Sequence, residues 1–135
     1  MLKVLYGSRG QGMSRDLCEM ANEELKTAKG SIVFIDKDEK HIYDLDRGIR
    51  LINANDFHIE GPKMFTGFVS GIAAQDFDLE KVYVSSFVKI VRHAVSELEG
   101  LFGFLESFSE AKGIDFIIEI NSDGECPEFM KKYIS

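Results

Sequence analysis

Residues Gly7 to Ser14 read GSRGQGMS, between a short apolar stretch and an amphipathic one. Glycines at 7, 10 and 12 permit turns that side chains resist, so successive backbone N–H groups can converge on one point. A helix beginning directly afterwards adds the positive potential of its amino end. This is chemistry for holding an anion, and phosphate fits it best. A serine hydroxyl at the helix start suits a Mg²⁺ ion shared with that phosphate. Gly7, Ser8, Arg9, Gly10, Gln11, Gly12, Met13 and Ser14 are therefore the candidate binding residues, and Ser14 is the candidate metal ligand.

The spacing matches the phosphate-loop pattern G-x-x-x-x-G-K-[ST] at Gly7, Gly12 and Ser14. Position 13 departs from it, with methionine where the pattern has lysine. Losing that charge-assisted hydrogen bond costs about 1.5–3 kcal/mol, or roughly 10–150-fold in affinity. The backbone cradle would survive; efficient phosphoryl transfer would not. Arg9 within the loop, Asp36 and Asp56 are the groups that could compensate, the arginine on phosphate and the aspartates on magnesium through water. A solvent-facing arginine and two turn or capping aspartates are the plainer alternatives.

The loop needs a strand before it and a helix after it. Leu2–Tyr6 reads as a buried strand, and Met13, Leu17, Met20, Ala21, Leu25 and Ala28 recur at helical spacing. Gly30 is expected to cap that helix, and Ser31–Ile35 to form a second strand. Strand, loop, helix, strand is one βαβ unit, hence parallel pairing. His41–Leu45 is expected as a short edge strand and Ile49–Ala54 as a core strand. A helix opens at Pro62, where Gly67 and Gly71 would allow close approach to a sheet. Val82–Val84 is another strand and Val88–Ala94 reads as helical. Ser96 and Glu99 suggest a capping box for a helix ending at Gly113. Asp115–Ile120 and a terminal helix from Pro127 to about Tyr133 complete the pattern. Phe65, Phe68, Phe102, Phe104 and Phe108 are expected in the core. The alternation predicts an α/β three-layer sandwich of about five mainly parallel strands with helices on both faces.

With KVLYGSRGQGMS at the start, then SIVFIDKDEKHIYDL, IRLINANDF, MFTGFVSGIAAQDFDLEKVYV and EFMKKYI, the chain resembles the P-loop NTPase superfamily. It is most similar to small stand-alone bacterial ATP-binding proteins that often carry a twitching-motility (PilT-type) label. The resemblance implies ATP or another nucleotide with Mg²⁺. It also implies a magnesium-holding aspartate at the end of a hydrophobic strand. By that resemblance the strand is Lys81–Ser86, which ends in Ser85-Ser86. The expectation is a nucleotide-binding protein with a degenerate loop and little or no turnover. A weak NTPase compensated by Arg9 or by a partner's residue is a second reading, and a scaffold or interaction subunit a third. A dinucleotide-binding domain is a fourth, from Gly10-x-Gly12 and Asp36, although Arg15 stands where its third glycine belongs.

The 135 residues suit a single domain spanning the chain. A net charge of −7, with Lys131-Lys132 the only adjacent basic pair, argues against nucleic acid and anionic membranes. No apolar run approaches the ~20 residues of a membrane helix, and nothing marks a secreted chain. A cytoplasmic location with Cys18 and Cys126 reduced is expected. His41, His58 and His93 are too scattered for a metal site. A protein partner or homo-oligomer is left open.

Overall fold

The computed structural model describes residues 1–8 and 12–134. Arg9, Gly10 and Gln11 of the loop lie outside the described residues. The strands are β1 (Leu2–Gly7), β2 (Ser31–Asp36), β3 (Ile49–Asn53), β4 (Leu79–Val84) and β5 (Asp115–Asn121). They form one sheet in the order β1-β5-β4-β2-β3, with every pair parallel. Its helices are α1 (Met13–Leu25), α2 (Gly61–Gln75), α3 (Phe87–Val91) and α4 (Glu99–Lys112). The chain is an α/β three-layer sandwich.

The path explains the layers. From β1 the chain moves across the sheet to β2 and β3, then returns through β4 to β5. Reversing direction while keeping one crossover hand requires a change of face. Accordingly α1 (Leu17, Cys18, Ala21) and Leu45 of the β2–β3 connection cover one face with Phe34, Tyr83 and Ile117. Helices α2, α3 and α4 cover the other, over Val33, Ile35, Val82, Val84, Phe116 and Ile118. Burial on both faces gives β2 and β5 their near-continuous apolar sequences.

Several local expectations are corrected. His41–Leu45 forms turns, because only Leu45 in it is buried. The α1 helix ends at Leu25 with Lys26 as its cap. Gly30 instead starts the approach to β2, where a Cβ would collide with the Asp78 carbonyl oxygen. No side chain caps α4, whose N-cap is Leu98, so the Ser96–Glu99 box is not formed. Gly113 does end that helix, in the left-handed conformation at φ 68°. The terminal helix is a 3-10 segment over Glu128–Tyr133. Phe104 is exposed, unlike Phe65 and Phe102. Gly67 and Gly71 do not bring α2 against the sheet, since nothing lies within 4 Å of the Cβ either would carry.

Candidate functional site

Alternation along the strands builds the site. On the face covered by α1, β2 places Ile32 and Phe34 and then Asp36, while Ser85 follows Tyr83 just beyond β4. Two residues apart again, β5 places Ile117, then Glu119, then Asn121. Each strand thus turns from apolar to polar at its carboxyl end, on one side only. The opposite face stays apolar through Ile35, Val84 and Ile120.

The first turn of α1 lies over this polar end. Gly12 is its N-cap in the left-handed conformation, φ 69°, which suits glycine. Ser14 Oγ is 3.0 Å from both carboxylate oxygens of Glu119. The Ser85 hydroxyl donates to Glu119 Oε1 at 2.7 Å and the Ser86 N–H to the same oxygen at 3.0 Å. Asn121 Nδ2 donates to Oε2 at 2.7 Å. Ser86 has φ 56°, an unusual conformation for a residue with a side chain, and its N–H bonds Glu119. Four donors on two oxygens use the acceptor capacity of a carboxylate, so the fully buried Glu119 is well satisfied.

Asp36 is different. Its Oδ1 accepts the Lys37 N–H at 2.7 Å, but Oδ2 is buried and has no partner among the described residues. Burial raises the Asp36 carboxyl to about 6, and the charges of Asp38 and Glu119 add to the rise. The carboxylate borders a cleft of about 380 Å³ that Gly12, Ser14 and Asn121 also line. Arg15, Lys37, Lys40 and Lys89 stand around it. An acidic floor under a basic rim suits a phosphate above and a hard cation below.

Because the native Asp36 holds a proton that the unfolded chain releases, its burial makes stability fall as pH rises from about 4 to about 6 and stay level above. Replacing it with asparagine should therefore stabilise the protein by roughly 1–2 kcal/mol at pH 7–8, net of the cost of a buried amide. Urea melts at pH 4 and pH 8 check this: the gain should be confined to the higher pH.

The residues expected from sequence divide. Gly7 pairs with Asn121 across β1 and β5, and Gly12 and Ser14 line the cleft. Ser8 is exposed, and Met13 opens α1 half-buried without lining the cleft. Arg9, Gly10 and Gln11 lie outside the described residues. Asp36 is in the cleft, whereas Asp56 lies exposed in the 3-10 turn Ala54–Phe57, away from it. In a dinucleotide domain the first two strands are neighbours; here β5 and β4 separate them. Cys18 is buried in the α1 core, its thiol pushed up to about 12 by burial.

No family model matches the chain, and no curated protein is detectably similar to it. Among the described residues no cluster of three or more His, Cys, Asp or Glu side chains could hold a metal, which is no obstacle to Mg²⁺ because that ion keeps several waters and takes one or two carboxylates. Glu119 escaped the sequence reading, although its signal was there: one carboxylate inside the apolar run DFIIEIN, in step with Asn121. No helix among the described residues is long and apolar enough to cross a membrane.

Proposed function

We propose that this chain binds a phosphorylated ligand, ATP or another nucleotide, with Mg²⁺, and turns it over slowly or not at all. The observation that carries the reading is the Ser14 hydroxyl held 3.0 Å from the buried Glu119 carboxylate. A phosphate-loop serine beside a carboxylate from the neighbouring strand is an arrangement that can serve a magnesium ion. The resemblance places that carboxylate at the end of Lys81–Ser86, where Ser85 and Ser86 stand; in this reading Glu119 of β5 takes its part. Ser14 and Asp36 would hold the ion, with Glu119 accepting the Ser14 hydroxyl proton and so turning the oxygen lone pairs toward it. The Gly7–Ser14 amides, Arg15 and Lys89 would take the phosphate charge. Met13 leaves the loop without its lysine, which is why turnover is expected to be slow.

One observation favours a second reading. The Glu119 network is complete without a ligand, as it would be in a scaffold that had kept the fold alone.

Thermal melts with Mg-ATP, Mg-GTP, Mg-pyrophosphate, NAD and Mg²⁺ alone separate the two. A ligand at 100 times Kd adds about 2.7 kcal/mol, which raises Tm by several degrees. The shift should appear with Mg-ATP, grow as pH rises through about 6 while Asp36 ionises, and vanish in Ser14→Ala. Melting curves unmoved by every nucleotide at millimolar concentration would establish the scaffold. A response to NAD alone would revive the dinucleotide reading despite the strand order.

A further inference from the structure

A second cavity lies against the face of the sheet that α2 covers. It has a volume of about 750 Å³, within the range of small-molecule sites. Its walls are the edge strand β3 and the outer side of α2. Ile52, Phe57, Phe68 and Ile72 make the upper half apolar, with the Phe57 and Phe68 rings 5.6 Å apart.

The lower end is charged. Arg50 of β3 makes no ion pair or side-chain hydrogen bond among the described residues. Its register with Val33 puts it near the start of the sheet. Gln75 and Asp76 also line this end, and Asp76 is the C-cap of α2, where backbone carbonyls add negative potential. The Ser31 N–H bonds the Asp78 carbonyl at 2.7 Å, tying this turn to the same rung as the base of β2. The lower end thus offers both signs of charge.

Gly67 and Gly71 keep the cavity open. Each costs about 1 kcal/mol in helix propensity. Neither has a positive φ, and neither makes room for any protein atom, as nothing lies within 4 Å of its notional Cβ. Side chains at 67 and 71 would fill the hollow from the α2 wall.

We infer that this cavity binds a zwitterion with a hydrophobic body, of the class of aromatic amino acids and short apolar peptides. Arg50 takes the carboxylate, Asp76 and the end of α2 take the ammonium, and the phenylalanine pair takes the apolar body. A ligand of one sign would meet a like charge at one side of its head group. The site shares no lining residue with the Asp36 cleft, which sits at the carboxyl ends of the strands.

The test is calorimetric titration of the full chain with phenylalanine and leucyl-phenylalanine, with 3-phenylpropionate and phenethylamine as single-charge analogues. At least one zwitterion should bind about tenfold or more tighter than either analogue, since one charge-assisted contact is lost in each. Gly71→Leu should abolish binding while leaving Tm unchanged or higher, because the new side chain enters open space. Arg50→Gln, on the surface, should weaken binding about tenfold. Equal binding of an analogue, binding unaffected by Gly71→Leu, or no binding by any probe at millimolar concentration would overturn the inference. A concentration-dependent dimer disrupted by Gly71→Leu, without probe binding, would overturn it in favour of a second copy of the chain.

Discussion

Replacing Phe102 with alanine should cost about 3–5 kcal/mol, the range for deleting a fully buried aromatic side chain. Phe102 is completely buried and sits between three other rings. It meets Phe87 edge-on at 5.7 Å, Tyr133 at 5.8 Å and Phe129 at 6.1 Å. These belong to α3 and to the C-terminal 3-10 segment, so one side chain joins α3, α4 and the end of the chain. Against a typical total of 5–15 kcal/mol, the loss brings the protein close to unfolding at moderate temperature. Urea melts should show a lower midpoint with the slope unchanged. Phe104, on the same helix but one-third exposed and stacked on Phe108 at 5.4 Å, should cost only about 1 kcal/mol. Equal costs at the two positions would mean that the ring cluster is not what holds the second helical layer.

The contrast marks what periodicity can and cannot read. The alternation of strands and helices was legible, because burial on a helix or strand imposes a period that local sequence must obey. Phe104 lay outside it: an aromatic residue type alone does not say which side of a helix it occupies. Strand order was not legible, since β1 and β5 pair across more than 100 residues and nothing local encodes that partner. Glycines misled for a related reason. Gly30 looks like a helix cap but answers to Asp78, and Gly67 and Gly71 look like packing contacts but face open space. Each glycine was visible, whereas its reason depends on residues far away in sequence.

The site divides along the same line. Gly12 and Ser14 could be found because loop and helix are contiguous. Glu119 could not be joined to them, because the link is β5 lying beside β1 and beneath the first turn of α1.

Glu119→Ala tests that link. It would leave the hydroxyls of Ser14 and Ser85, the Ser86 N–H and the Asn121 amide without their acceptor. At about 1–3 kcal/mol for each unsatisfied donor, less what water restores from the cleft, the expected loss is about 3–5 kcal/mol. Ser14→Ala removes one donor and leaves three, so its cost should stay near 1 kcal/mol. The pair of variants therefore separates two roles that one substitution would confuse. If the network only braces strand ends, stability falls in Glu119→Ala and nothing else distinguishes the variants. If Glu119 also turns Ser14 toward a magnesium ion, Glu119→Gln should lose the Mg²⁺ dependence of nucleotide binding while the fold persists, because an amide keeps one acceptor oxygen but not the charge. Calorimetric titration of Mg-ATP into Ser14→Ala and Glu119→Gln at pH 7.5, each checked as folded by circular dichroism, reads the difference directly. Nucleotide binding that keeps its full Mg²⁺ dependence in both variants would remove Glu119 from the site and leave it a structural carboxylate.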